Sequence, residues 1–267
     1  MTGDRKALDE ERRFHDQWAS RIDLTTIDVL TAFEGSTAPE NRFILARLGD
    51  LRNKEILDLG CGAGESSVYF ALKGARCVAS DYSPGMLQAA RRLAEKYKVR
   101  IVTTRLDAMC IDFPADTFDI VYAANLLHHV NTEKALVEIH RVLKPGGIAC
   151  SWDPLRHNPV INVYRRIAKR VRTRDEHPLD IRVVYMVRKI FSRVTYETFW
   201  FASLWIFLRF YFLERVDPNK ERYWKKILQD EKRLRQTYLR LEKWDSLIKR
   251  IPCLRRFGWN IAIVAEK

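Results

Sequence analysis

Residues 55–64 read Glu-Ile-Leu-Asp-Leu-Gly-Cys-Gly-Ala-Gly, and this stretch decides the fold. Ile56, Leu57 and Leu59 make a short apolar run of the kind a buried strand needs, which breaks into a glycine-rich turn ahead of a helix. A ligand approaches backbone closely only where side chains are absent, so Gly60, Gly62 and Gly64 mark a binding loop at a strand's carboxyl end. Dinucleotide-binding loops space their glycines G-x-G-x-x-G. Here the pattern is G-x-G-x-G followed by Glu65, with an acid, Asp58, on the strand itself.

The flanking sequence supplies companions at regular distances. Cys77-Val-Ala-Ser-Asp81 is a second apolar run, ending in a carboxylate 21 residues after Gly60. An acid there offers two acceptor oxygens to a pair of ribose hydroxyls, although NAD enzymes place one at a similar point. Val102–Arg105 is a third β-rich run and leads to Asp107-Ala108. Phe118–Ala123 is a fourth, running into Ala124-Asn-Leu-Leu-His-His-Val130. A helix over Leu136, Ile139, Val142 and Leu143, capped by Asn131 or Thr132, then meets a Pro-Gly-Gly turn and a fifth strand, Ile148–Trp152. Strand and helix alternate through residue 153, which predicts an α/β, doubly wound parallel sheet with right-handed crossovers.

The glycine loop with these companions resembles the class I S-adenosylmethionine (SAM)-dependent methyltransferases, in the branch that includes the ubiquinone/menaquinone C-methyltransferases, over roughly residues 37–153. The resemblance implies a seven-stranded sheet, six strands parallel and the last antiparallel, and S-adenosyl-L-methionine as cofactor. It implies that Gly60, Cys61 and Gly62 face the methionine part of SAM, with Asp58 supporting the loop. Asp81 would take the ribose, Tyr82 and Met86 would pack near the adenine, and Asp107 with Ala108 would contact its edge. Asn125 would lie near the methionine carboxyl or the transferring methyl. His128 and His129 are candidate bases because imidazole titrates near neutrality; a packing role for one ring on the next helix is the alternative. Asn125 and Tyr164 are further catalytic candidates, with His15, His157 and Asp153 as other polar groups, and Trp18 or Phe14 as a cover over the cofactor. No residue pattern suggests a metal.

The rest of the chain divides around this unit. Residues 1–36 are expected to form an N-terminal helical cap, and residues 37–198 plus 257–267 the SAM-binding domain, with a lid helix at about 156–176. Thr37-Ala-Pro-Glu40 reads as a capping box opening a helix from about Pro39 to Leu48. Ser83-Pro84 and Asn158-Pro159 open two others. Gly258–Glu266 is the expected last strand, paired with Val194–Phe199. A short hairpin joins these two in most members of the resembled family; here residues 199–256 intervene. Their first part, Phe199–Leu213, is expected as an aromatic helix, apolar on nearly every side, but at 15 residues and with Arg209 inside it is too short to span a bilayer, which takes about 20. Asp217-Pro218 reads as a helix cap and first turn; apolar positions then recur every three or four residues from Trp224 to Ile248 among Lys and Arg, and Pro252 stops the run.

Charge separates the halves. Residues 1–150 hold 20 Lys+Arg and 21 Asp+Glu; residues 151–267 hold 27 and 13, a net of +14 that accounts for the basicity of the whole chain, +13. Five scattered cysteines without a CxxC pair read as reduced and cytosolic, and the charged N-terminus is unlike a secretory signal. The leading expectation is a methyltransferase with a hydrophobic small-molecule acceptor: a lipid, an isoprenoid or quinone-like ring, or a secondary metabolite. Its aromatic, basic insertion suits an anionic membrane surface as well as a substrate tunnel or a homodimer contact, and the sequence leaves these open. An RNA methyltransferase is disfavoured, because no Asp/Asn-Pro-Pro-aromatic motif follows the fourth strand. A non-catalytic adaptor acting through the insertion is the third alternative. O-, N- and C-methylation are not distinguished.

Overall fold

The computed structural model describes residues 2–168 and 177–267. Its centre is a seven-stranded sheet in the order β3-β2-β1-β4-β5-β7-β6. The strands are β1 (Glu55–Leu59), β2 (Arg76–Asp81), β3 (Val102–Arg105), β4 (Phe118–Ala124), β5 (Leu143–Pro154), β6 (Arg193–Phe199) and β7 (Asn260–Glu266). β7 runs antiparallel to both of its neighbours, and the other pairings are parallel, as the sequence predicts.

Helices cover both faces because the strands are apolar on both. Leu57 and Leu59 point into a core shared with α6 (Thr132–Val142) and α8 (Val183–Ile190). Ile56 and Cys77 point the other way, into a core shared with α2 (Val29–Glu34), α3 (Pro39–Leu48), α4 (Glu65–Leu72) and α5 (Pro84–Tyr97). β1 sits between β2 and β4, so its alternate residues are all buried and the loop that follows it opens at the middle of the sheet's carboxyl edge. The N-terminal helix α1 (Thr2–Ala19) lies across that edge and docks on the start of α5, where Asp16 Oδ1 accepts from Ser83 Oγ at 2.6 Å and from the Gly85 N–H at 3.0 Å.

A third core belongs to residues 199–256. It joins Trp200, Leu204, Ile206, Phe207 and Phe210 to Tyr223 and Ile227 of α10 (Tyr223–Gln229), and to Leu234 and Tyr238 of α11 (Glu231–Ile248). Ile161 of α7 (Pro159–Ile167) packs into the same cluster. The chain enters this unit under Asp245 of α11, whose carboxylate accepts the N–H groups of Phe201, Ala202 and Ser203 and the Ser203 hydroxyl.

Several local expectations are corrected. Thr37 does not cap α3: the cap residue is Ala38, without a side-chain bond, and Glu40 turns away to other partners. The aromatic run is not one helix but a 3-10 turn, a single α turn α9 (Trp205–Leu208) and a π turn (Arg209–Leu213), because the run must bend to bury Phe207 and Phe210. Asp217 holds a turn, accepting from the Asn219 N–H, and the helix begins only at Tyr223. β5 starts at Leu143, ahead of the Pro-Gly-Gly segment, with a register shift opposite Phe118 and Ile120. Within the segment expected as a lid, α7 is helical over Pro159–Ile167; Lys169, Arg170, Val171 and Arg172 lie outside the described residues.

Candidate active site

The carboxyl ends of β1, β2 and β4 converge on a cavity of about 1020 Å³. Gly60, Cys61 and Gly62 form its floor at β1, and Asp81, Tyr82 and Met86 its side at β2 and α5. Asp107 and Ala108 line the next edge, and Asn125, His128 and His129 the wall after β4. Tyr164 of α7 lines it from the lid side, and Phe14, His15 and Trp18 of α1 from above.

The glycines divide the work. Gly62 has φ +53° and no heavy atom within 4 Å of where a Cβ would lie, so its backbone can be approached by a ligand. A Cβ on Gly64 would come within 2.7 Å of the Ala90 Cβ, so this glycine serves the packing of α4 on α5. Asp81 accepts from the Gly62 N–H at 3.0 Å and the Ser83 N–H at 2.8 Å, which fixes its carboxylate at the cavity edge. Burial raises its pKa despite those bonds. An open glycine backbone beside a fixed carboxylate, with Met86 next to it, fits a nucleoside whose hydroxyls meet Asp81. Asp58 does not line the cavity. Buried beneath the loop, it takes the hydroxyls of Ser66 and Ser67 and ties the first turn of α4 to β1; burial pushes its carboxyl up to about 6.

Beyond β4 the wall is polar. Asn125 adopts φ +52°, a left-handed conformation that asparagine tolerates better than larger residues, and its N–H reaches the Trp152 carbonyl at 2.8 Å. His128 Nδ1 lies 2.8 Å from Asp153 Oδ1, and the pair is buried. Burial pushes the Asp153 carboxyl well above the usual range, and backbone N–H groups after β4 oppose that shift. The His129 ring sits 4.0 Å from that of His128, and its Nδ1 lies 3.1 Å from Glu11 Oε1 of α1, in contact but outside good hydrogen-bond alignment. His15 Nε2 meets the same Glu11 oxygen at 3.0 Å. Burial acts to raise the Glu11 pKa, but the two imidazoles outweigh it and hold the carboxyl well below the usual range. His157 is elsewhere, paired with Asp180 on the surface. The Tyr164 hydroxyl faces the Tyr223 N–H at 3.5 Å.

Sequence reading missed the far chamber. Trp152, Trp200, Trp259, Ile227 and Leu228 line it, with Glu40 and Asn260 among them. Glu40 Oε1 accepts from Trp200 Nε1 at 2.8 Å and from Asn260 Nδ2 at 2.6 Å; burial pushes its carboxyl up to about 7. Trp200 holds φ +66°, an uncommon conformation for so large a residue, and its indole bond to Glu40 helps keep it there. The sequence reading gave Glu40 to a capping box, and nothing local ties it to Trp200 or Asn260.

Residues 57–151 match the methyltransferase domain family. A demethylmenaquinone methyltransferase of Clavibacter sepedonicus is 45% identical over 117 residues, covering 42% of this chain and 45% of that protein. A sterol 24-C-methyltransferase of Debaryomyces hansenii is 30% identical over 135 residues, covering 49% of this chain and 36% of that protein. The chain thus spans about half the length, or less, of these curated relatives. Phosphoethanolamine N-methyltransferase 2 of Haemonchus contortus, solved with S-adenosyl-L-methionine, superposes with a TM-score of 0.57 at 22% identity, over 86% of this chain and 52% of that one, a likeness of fold. Strand order, glycine loop and matched segment together show that residues 57–151 carry a methyltransferase domain with its Rossmann-like fold.

Proposed function

We propose that the protein transfers a methyl group from SAM to a hydrophobic small-molecule acceptor of the lipid, isoprenoid or quinone-like kind. The observation that carries this reading is the continuity of one cavity from the glycine loop to a chamber lined by Trp152, Trp200, Trp259, Ile161 and Ile227. At about 1020 Å³ it stands at the upper end of the ~300–1,000 Å³ usual for ligand sites, with room for a nucleoside and a second molecule. The curated relatives named for menaquinone and sterol methylation point the same way.

SAM brings an already activated methyl group, so the chain's own tasks are to hold the acceptor in line, exclude water and take a proton where the acceptor carries one. α1, the lid helix and residues 199–256 exclude water. Asp153 orients His128 through Nδ1; with the proton on Nδ1, the Nε2 lone pair is the base. Asn125 and Tyr164 bracket the same space as positioning groups.

Peripheral attachment to an anionic membrane is part of the same proposal. Trp205, Phe212 and Leu213 are exposed on the basic insertion, although no helix among the described residues is long and apolar enough to cross a bilayer. Sedimentation with phosphatidylglycerol vesicles at low salt tests this, and failure to sediment removes the membrane clause alone. The acceptor class is tested by incubating the protein with methyl-labelled SAM and fractionated cell extract. Label in the organic phase is the expected result; label on RNA or protein overturns the hydrophobic-acceptor reading.

A further inference from the structure

Lys225 lies near the start of α10, and its side chain lines the cavity where the insertion meets α1. Its ammonium stands 4.6 Å from the Trp18 ring centroid and 5.3 Å from that of Trp224. Among the described residues it forms no ion pair with a carboxylate. Arg222, less than one turn earlier, lays its guanidinium 3.5 Å over the same Trp18 ring and lines the cavity too. Burial lowers the Lys225 pKa; Arg222 acts in the same direction, and Glu65 at the head of α4 acts against it. Withdrawing an ammonium from water is costly unless an opposite charge meets it, and aromatic faces offset only part of that cost. An ammonium held against aromatic rings on the wall of a binding cavity, as that of Lys225 is, is placed to meet a negative ligand group.

We propose that Lys225, with Arg222 beside it, is an anion subsite of the cavity that takes a carboxylate. The inference rests on the reading that the cavity holds SAM and an apolar acceptor. A carboxylate can come from two sources: the methionine end of the cofactor, or an acid group on the acceptor. In the first case the insertion becomes part of the cofactor site. In the second it selects acceptors that are greasy at one end and acidic at the other.

Titration calorimetry on the full chain separates the outcomes, using wild type, Lys225→Gln and Lys225→Arg. The probes are S-adenosylhomocysteine against 5′-methylthioadenosine, which lacks the amino-acid end, and dodecanoate against 1-dodecanol. If the cofactor is the source, Lys225→Gln weakens S-adenosylhomocysteine about tenfold, leaves methylthioadenosine unchanged, and Lys225→Arg restores most of the loss. If the acceptor is the source, wild type prefers dodecanoate to dodecanol about tenfold and Lys225→Gln abolishes that preference, with S-adenosylhomocysteine unaffected. The proposal is overturned if Lys225→Gln alters neither difference. Wild type that binds neither adenosyl compound would end the SAM reading of the cavity, while the dodecanoate pair still decides Lys225.

Discussion

The wall of the cavity built by residues 58–130 and the wall built by residues 200–260 differ in how far its partners must travel along the chain. In the first, Asp81 accepts from Gly62, 19 positions away, and Asp58 from Ser66, 8 away. In the second, Glu40 accepts from Trp200 and Asn260, separated from it by 160 and 220 positions. The near wall is therefore written into consecutive motifs, and its geometry follows once β1 and β2 pair. The far wall exists only after β7 has closed against β5 and the insertion has folded over it. That division accords with the proposed roles: a near wall fixed locally suits an invariant ligand such as the cofactor, and a far wall assembled from distant pieces suits a ligand that varies.

The largest expected effect tests whether chemistry sits on the near wall. His128→Asn should lower turnover about 10²- to 10⁴-fold, the range of a lost general base, while S-adenosylhomocysteine affinity by calorimetry stays within about twofold. Asp153→Ala should reproduce most of that loss, because the ring would lose the acceptor at Nδ1. Full activity in both variants would assign the histidine pair to packing and move the base, if any, to the far wall.

Two glycines of the same loop sharpen the point. Gly64→Ala forces a Cβ against Ala90 in a left-handed backbone and should destabilise the fold by about 3 kcal/mol, read as a fall in unfolding midpoint. Gly62→Ala meets no protein atom, so its larger consequence should be in ligand affinity, about tenfold for S-adenosylhomocysteine. Equal effects of the two substitutions on stability and on binding would erase the distinction between the packing glycine and the open one.

Glu40 reports on the far wall through pH. Burial pushes its carboxyl from 4.5 up to about 7, so the native state keeps a proton that the unfolded chain begins to release near pH 4.5. Its contribution to stability is therefore full below that pH and is lost as pH rises to about 7, by about 3 kcal/mol at most. Asp58, pushed from 3.8 up to about 6, adds a decline of the same sign that starts lower. Glu40→Gln keeps an oxygen acceptor for Trp200 and should flatten the fall between pH 4.5 and 7 in denaturant unfolding. An unchanged slope would mean that Glu40 is ionised in the native protein.

The same contrast explains what could be read from sequence. The strand positions, the glycine loop and the helix caps at Ser83, Asn131 and Asn158 were legible because each is set by neighbours a few positions away. Glu40 was misread for the opposite reason. A Thr-x-x-Glu spacing is a sound local signal, but the pull of two buried donors from Trp200 and Asn260 outweighs one exchangeable cap bond. The aromatic run was misjudged as one helix since its apolar residues have no single face; only the third core, drawn from α7, α10 and α11, shows which of them turn inward. Lys225 and Arg222 looked like ordinary solvated charges between apolar positions, and nothing local tells them from the exposed lysines around them.

The smallest expected effect concerns how independently the far wall folds. Asp245 gathers three backbone N–H groups and one hydroxyl at the entrance of the insertion, so Asp245→Asn keeps one acceptor oxygen and loses the charge that strengthens these bonds. A local cost of about 1–2 kcal/mol follows from hydrogen bonds to a charged group. Amide exchange should accelerate at residues 201–203 and along α9 and α10, while β1 and β4 stay protected and S-adenosylhomocysteine affinity holds unless Lys225 contacts the cofactor. Acceleration spread evenly through the sheet would make the two walls one cooperative unit. In that case the insertion would be a structural member of the fold, and the far chamber could not be varied separately from the cofactor site.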